Sequence, residues 1–173
     1  IGGGILSAYD VNELLRIGAD KVSINTASYE NKNIKNEIAK INGSQCVVSS
    51  IDVRRKSLNS WECFSNSGKV RTGKDVLEWS KEVEDLGAGE ILLTSIDKDG
   101  TMDGFDFKLI EKVVSSVNIP VIASGGAGNL NHILEAIKNC GASAIAAGSI
   151  FHFTEITPLE IKLFLHKNNI PVR

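Results

Sequence analysis

The sequence predicts an α/β protein built on a parallel sheet that is covered by helices. Short apolar runs rich in Val and Ile alternate along the chain with segments that have the period of an amphipathic helix. Runs that are apolar on both faces, with helices between them, are typical of parallel strands buried under helices. The length of 173 residues is enough for one hydrophobic core. The strands are predicted at 22–24, 46–51, 91–93, 120–123 and 144–147.

Helical segments fill the intervals between these runs. One segment, 53–71, contains WECFSNSGK and interrupts the alternation, so it predicts a small hairpin inserted after the strand that ends at Asp52. The helices are predicted near 8–17, 32–41, 73–86, 106–114, 130–138 and 158–166.

A glycine-rich turn occurs twice in the same setting. Gly3 and Gly126 each lie in a glycine run that is followed, fifteen residues later, by a Gly-Ala turn and another strand. Glycines at a strand-to-helix junction let backbone N–H groups approach a phosphate closely. The pair predicts a substrate with a phosphate at each end, while the alternative is that these glycines only form tight turns.

If the parallel strands belong to a (βα)8 TIM barrel, the two glycine turns lie about half a barrel apart. One phosphate site of such barrels normally lies on the loops after strands seven and eight. If the second glycine turn follows strand seven, counting backwards makes 22–24 strand four and leaves Ile1 as the end of strand three. We therefore expect residues 1–173 to form one partial barrel domain, from the end of strand three through helix eight, with strands one and two absent.

Composition excludes several classes of function. A net charge of −2 and a pI near 6.0 provide no basic surface for nucleic acid, and no apolar run approaches the roughly 20 residues that span a bilayer. Cys46, Cys63 and Cys140 are odd in number and not spaced as metal pairs, which favours reduced thiols in a cytoplasmic protein. We expect a small phosphorylated substrate, no metal and no cofactor.

Two aspartates are candidates for acid–base chemistry. Alternate side chains of a strand share a face, so Ser50 and Asp52 lie together, with Asp52 at the carboxyl end where barrel active sites are built. Asp99 precedes Gly100 just after the next strand and could orient a phosphate or hydroxyl. The alternatives are that Asp52 caps a turn or pairs with Arg54 or Arg55, and that Asp99 and Gly100 only form a turn.

The same alternation predicts a charged pair at the opposite end of the strands. If Thr94 faces the barrel interior, then Glu90 does too, and Asn25 at the top of its strand implies that Lys21 faces inward at the bottom. Alternate strands contribute to one layer of a barrel core, so Lys21 and Glu90 are expected to face each other across the lower mouth. The alternative is that each charge is simply solvated.

Long ordered motifs resemble the cyclase subunits of imidazole glycerol phosphate synthase, in histidine biosynthesis. This resemblance implies a (βα)8 barrel that takes ammonia from a glutaminase partner, as a heterodimer. It would convert phosphoribulosyl-formimino-AICAR phosphate to imidazole glycerol phosphate and AICAR phosphate. The motifs that carry the resemblance are GADKVSINTA, SID, TGKDVLEW, GAGEILLTSIDKDGT, IPVIASGGAG, GSIFHF and IPVR.

The resemblance also implies roles for single residues. Asp52 resembles one of two catalytic aspartates, and the other belongs to strand one, outside this sequence, so these residues alone are expected to be inactive. Lys21 and Glu90 resemble members of a charged gate for ammonia. Ser50, Thr94 and Ser124 are candidates for substrate contact. The phosphate ligands are expected to be Gly4, Asn25 and Thr26 at one site, and Asp99, Gly100, Gly126, Ala147, Gly148 and Ser149 at the other.

Two other functions stay open at this point. Three segments are more similar to a paralogous branch that forms an amidine on surface sugars, again with ammonia from a glutaminase. They are SSIDVRR, DKDGTMDGFD and NCGASAIAAGS. A barrel that only binds a phosphorylated ligand is the third possibility, which Asp52 and the intact glycine turns disfavour.

Overall fold

The computed structural model describes residues 1–172 and contains one mixed sheet of seven strands. Five of these strands are parallel and neighbour one another in chain order. The strands are β1 Val22–Ile24, β2 Val47–Ser57, β3 Ser60–Ser65, β4 Val70–Asp75, β5 Glu90–Ser95, β6 Val121–Ser124 and β7 Ala144–Ala146. The parallel order β1-β2-β5-β6-β7 confirms the predicted barrel order, and the sheet is not closed within the described residues.

The described residues form eight α-helices, which lie before, between and after the parallel strands. Their starts follow local capping: Ser7 and Asp10 form a capping box at α1, and Thr157 and Glu160 form one at α8. The helices are α1 Ala8–Arg16, α2 Thr26–Glu30, α3 Ile34–Asn42, α4 Val76–Asp85, α5 Phe107–Val114, α6 Leu130–Lys138, α7 Ser149–Phe153 and α8 Pro158–Lys167. The short helices α2 and α7, each directly after a parallel strand, were not predicted.

The inserted hairpin is confirmed and extends further than predicted. The upper half of β2 pairs antiparallel with β3, which pairs antiparallel with β4. Residues 73–75, predicted to open a helix, belong to β4 instead. The reason is Asp75, whose carboxylate accepts a hydrogen bond from the Leu77 N–H and caps α4 one residue before it begins.

Burial alternates along the parallel strands, so one face is covered and the other half-exposed. In β5, Ile91 and Leu93 are buried, whereas Glu90, Leu92 and Thr94 are only partly buried. The covered face packs against α4 and α5 in one core cluster that includes Trp79, Val83, Leu109 and Val113. The partly buried face is the predicted barrel interior, and it carries the candidate functional residues.

An isolated parallel bridge joins Gly2 to Ser23 of β1. The backbone N–H of Ser23 also donates a hydrogen bond to the carbonyl oxygen of Ile1 at 2.8 Å. These contacts lie on the side of β1 that faces away from β2. They place the first residues where the end of a preceding parallel strand was predicted.

Candidate active site at the carboxyl edge of the sheet

The first predicted phosphate site lies in a cavity of about 370 Å³ at the carboxyl ends of β1 and β2. Asn25 and Thr26 follow β1 directly, and Asp52 lies on β2 two residues beyond Ser50. The turn of the inserted hairpin forms another wall. The lining residues are Gly3, Gly4, Ile5, Leu6, Ser23, Ile24, Asn25, Thr26, Ala27, Ser50, Asp52, Asn66 and Ser67.

The second predicted phosphate site lies in a cavity of about 180 Å³ at the carboxyl ends of β6 and β7. Gly126 is required there by close packing, because a Cβ at this position would lie 2.2 Å from the carbonyl oxygen of Gly104. The backbone N–H of Gly104 also donates a hydrogen bond to the carbonyl oxygen of Gly126 at 2.8 Å. The lining residues are Asp99, Gly100, Met102, Ser124, Gly125, Gly126, Ala127, Ala146, Ala147, Gly148 and Ser149. Both glycine turns therefore open on the same edge of the sheet.

Asp52 lines the first cavity and lies beside Thr94 of β5, the neighbouring strand on the side of the second cavity. Burial, and next the negative charge of Asp99, raise the pKa of the Asp52 carboxyl above its ordinary value, and Ser50 opposes this shift. A carboxyl group whose pKa moves toward neutrality is suited to give and take protons. Thr94 also pairs with Ser124 of β6, so Asp52, Thr94 and Ser124 lie side by side on the same face of the sheet.

The alternatives for the two aspartates are partly resolved. Arg55 bonds Asp106 at 2.6 Å and Arg54 lies 5.2 Å from the ring centroid of Phe64. In the described residues the side-chain hydrogen bond to Asp52 comes from Asn25, at 2.9 Å. Asp99 does lie in a turn, since its N–H donates to the Ser95 oxygen at 2.9 Å.

Lys21 and Glu90 form an ion pair at the opposite edge of the sheet. Val48 of β2 lies on the same face between them, since it pairs with Ser23 on one side and Glu90 on the other. Their side chains are 45% and 21% exposed. Lys21 and Glu90 therefore make the predicted contact across the lower edge.

Three polar contacts of the hairpin were missed at the sequence level. The Asn66 N–H donates to the Thr26 hydroxyl at 3.0 Å, which holds the hairpin turn against the first cavity. Asp106, the N-cap of α5, accepts hydrogen bonds from Arg55 and from the Trp61 ring, at 2.6 and 2.7 Å. The signal that pointed to this region is the run Asn66-Ser67-Gly68, a turn sequence only twelve residues after the strand segment that bears Asp52 and Arg54.

The described residues give two further results. Within 1–172, no group of three His, Cys, Asp or Glu side chains is placed to hold a metal ion. Among the described helices, none has both the length and the apolar character needed to cross a membrane.

The fold and the site together define an α/β protein of the barrel type, with two glycine-lined cavities at the carboxyl edge, the first of which contains the Asp52 carboxylate. A family model described as "Histidine biosynthesis protein" matches residues 1–157. The chain is 52% identical over 173 residues to "Imidazole glycerol phosphate synthase subunit HisF" from Hydrogenobaculum sp. (strain Y04AAS1). That match covers the whole chain and 69% of the relative. The chain belongs to the histidine biosynthesis protein family.

Proposed function

We propose that this chain is the cyclase subunit of imidazole glycerol phosphate synthase. It would use ammonia to convert phosphoribulosyl-formimino-AICAR phosphate to imidazole glycerol phosphate and AICAR phosphate. The observation that supports this most directly is the position of Asp52 on the same edge as two glycine-lined cavities. The identity of 52% to a relative named as this subunit supports the same substrate. We take β1, β2, β5, β6 and β7 as strands four to eight of one partial barrel domain.

Substrate binding is assigned to the two cavities. Backbone N–H groups near Gly4 and the hydroxyl of Thr26 would hold one phosphate, and Gly100, Gly126, Ala147, Gly148 and Ser149 would hold the other. Holding both ends fixes the middle of the substrate over Ser50, Asp52, Thr94 and Ser124, which orients the reacting atoms for addition of ammonia and ring closure. Asp99 would keep its influence on Asp52 through charge and would help to orient the phosphate-bearing end.

Asp52 is assigned the proton transfers. Ammonia must lose protons as it adds to a carbonyl, and the AICAR portion must gain one as it leaves. A carboxylate beside the substrate can accept and return a proton, and burial shifts its pKa toward the pH at which both transfers are efficient. The second aspartate implied by the resemblance would belong to strand one, which is not among the five parallel strands, so we propose that these 173 residues alone are inactive.

Ammonia would be delivered by a glutaminase subunit in a heterodimer. The Lys21–Glu90 ion pair at the amino edge is the proposed gate, because it lies on the same sheet face as Asp52 and at its opposite end. A cytoplasmic location is part of the proposal, and the three free, buried cysteines are in keeping with it.

The test is an ammonium-dependent cyclase assay on the whole gene product that contains these residues. Asp52→Asn keeps the side-chain shape but removes the proton acceptor, so kcat should fall about 100-fold or more while KM changes little. Asp103→Asn, an exposed carboxylate in the loop after β5, is the control and should leave both constants unchanged. Turnover by Asp52→Asn close to that of the parent would overturn the role of Asp52. Absence of cyclase turnover in the parent would overturn the function and favour an amidine-forming or purely binding barrel.

A further inference from the structure

The side-chain amide of Asn25 contacts protein oxygen atoms, although the sequence predicted Asn25 to be a phosphate ligand. Its Nδ2 donates to Asp52 Oδ2 at 2.9 Å and makes a longer contact of 3.5 Å to the backbone oxygen of Phe64. Phe64 is the residue that pairs with Asp52 in the ladder between β2 and β3. The amide group of Asn25 therefore spans the catalytic carboxylate and the hairpin strand beside it.

The orientation of this amide is determined by charge. Turned the other way, its Oδ1 would lie against the carboxylate of Asp52, and two acceptors would face each other. With Nδ2 on that side, both amide hydrogens are directed at Asp52 and Phe64, and none is left to donate to a phosphate. Asn25 Oδ1 is buried and has no hydrogen-bond partner among the described residues, and an oxygen acceptor does not bind an anion.

From this contact we infer that Asn25 is a positioning residue that holds the Asp52 carboxylate in place, and not a ligand of the substrate phosphate. The inference rests on the proposed function, because it concerns the geometry of the proposed proton acceptor. It also divides the roles of two consecutive residues. Thr26 uses its hydroxyl oxygen to accept from the Asn66 N–H, so its own proton stays available for a phosphate.

The expected consequence of the contact concerns the charge of Asp52. Burial and Asp99 favour the protonated acid, and an N–H donor favours the carboxylate. The other polar groups near Asp52 are Ser50 on β2 and the buried Tyr29 hydroxyl on α2, whose own pKa is raised, chiefly by burial and in part by the charge of Asp52. Ser50 already opposes burial and the charge of Asp99, and the hydrogen bond from Asn25 places a second neutral donor on the carboxylate.

The experiment compares Asn25→Ala and Asn25→Asp with the parent, in the whole gene product. The first readout is the pKa of the Asp52 carboxyl group. It is measured from the ¹³C chemical shift of the carboxyl carbon through a pH titration, and Asp52→Asn serves to assign the signal. Loss of the donor in Asn25→Ala should raise this pKa by about one unit. Asn25→Asp has the same shape and adds a second negative charge, so it should raise the pKa further, and it serves as the test if the alanine variant does not fold.

The second readout is steady-state kinetics with ammonium. Asn25→Ala should lower kcat about tenfold or more while KM changes by less than about threefold. Thr26→Val, which removes a proposed phosphate donor, should do the reverse and raise KM chiefly. Asn139→Ala, an exposed amide at the end of α6, is the control for both readouts.

An unchanged Asp52 pKa in both Asn25 variants, or a loss confined to KM, would overturn the positioning role. The NMR titration does not depend on turnover. If the parent shows no cyclase activity, the proposed function fails, whereas the comparison of pKa values still decides whether Asn25 acts on Asp52.

Discussion

Lys35 makes the stability of this protein depend on pH. This lysine of α3 is 0% exposed, and its Nζ has no hydrogen-bond partner within the described residues. The Nζ lies 4.9 Å from the centroid of the Trp79 ring. Burial lowers the pKa of Lys35 to about 7 from its ordinary 10.5; Glu82 opposes this shift and the positive charge of Lys74 adds to it. Glu82 offers little compensation because it already pairs with Lys32 and Lys74.

The size of the effect follows from linkage. Between pH 7 and 10.5 the unfolded chain binds a proton at Lys35 that the folded protein has lost, so the free energy of unfolding rises with pH in that interval. The slope is about 1.4 kcal/mol per pH unit, which amounts to about 5 kcal/mol over the whole interval. Below pH 7 both states are protonated, so this contribution is absent there.

Lys35→Met removes the amine and keeps the length of the side chain, so it should abolish this slope. We expect the Met variant to be more stable than the parent at pH 7, with the difference shrinking toward pH 9.5. The assay is urea unfolding of the whole gene product, followed by tryptophan fluorescence at several pH values from 7 to 9.5. Lys32→Met is the control. Lys32 is more exposed and forms an ion pair with the same Glu82, so this variant should retain the dependence of the free energy of unfolding on pH. Parallel pH dependence in the parent and in Lys35→Met would refute the reasoning.

Two further predictions concern the hairpin and the charged pair. Asp106→Asn leaves Arg55 or the Trp61 ring without a buried acceptor and should lower the free energy of unfolding by about 3 kcal/mol, measured by urea unfolding. A cost no larger than the roughly 0.5 kcal/mol expected for an exposed Asp103→Asn would contradict this. Lys21→Ala or Glu90→Ala should reduce glutamine-dependent turnover about tenfold and spare turnover with added ammonium. An equal loss of turnover with glutamine and with added ammonium would contradict the proposed role of this ion pair as an ammonia gate.

The face of each strand residue was predictable because the side-chain period of a strand is two. Thr94 at one edge determined the face of Glu90 at the other, and Asn25 did the same for Lys21. The structure then brings Lys21 and Glu90 into contact although a strand lies between them. The same alternation placed Ser50 and Asp52 in one cavity.

Helix burial was less predictable because it depends on partners distant in the sequence. In α3, the apolar positions 34, 38 and 41 indicate the buried face, yet Ile41 is 64% exposed and Lys35 is fully buried. The reason is the Trp79 ring of α4, which stacks with Tyr29 at 4.7 Å and lies close to the lysine amine. The sequence of α3 alone does not indicate that the ring of Trp79 lies beside Lys35.

The hairpin shows why the environment of Asp52 could not be derived from its own strand. Asp106 of α5 holds Arg55 and Trp61, near the turn that joins β2 to β3, whereas Asn25 contacts β3 and Thr26 contacts the turn between β3 and β4. These attachments come from two segments far apart in the sequence, 25–26 and the start of α5, and each involves one side chain whose partner is set by the folded structure. Because the hairpin turn also lines the Asp52 cavity, a segment that interrupts the alternation of strands and helices is a wall of the candidate site. Its attachments therefore bear on the orientation of the catalytic carboxylate as well as on stability.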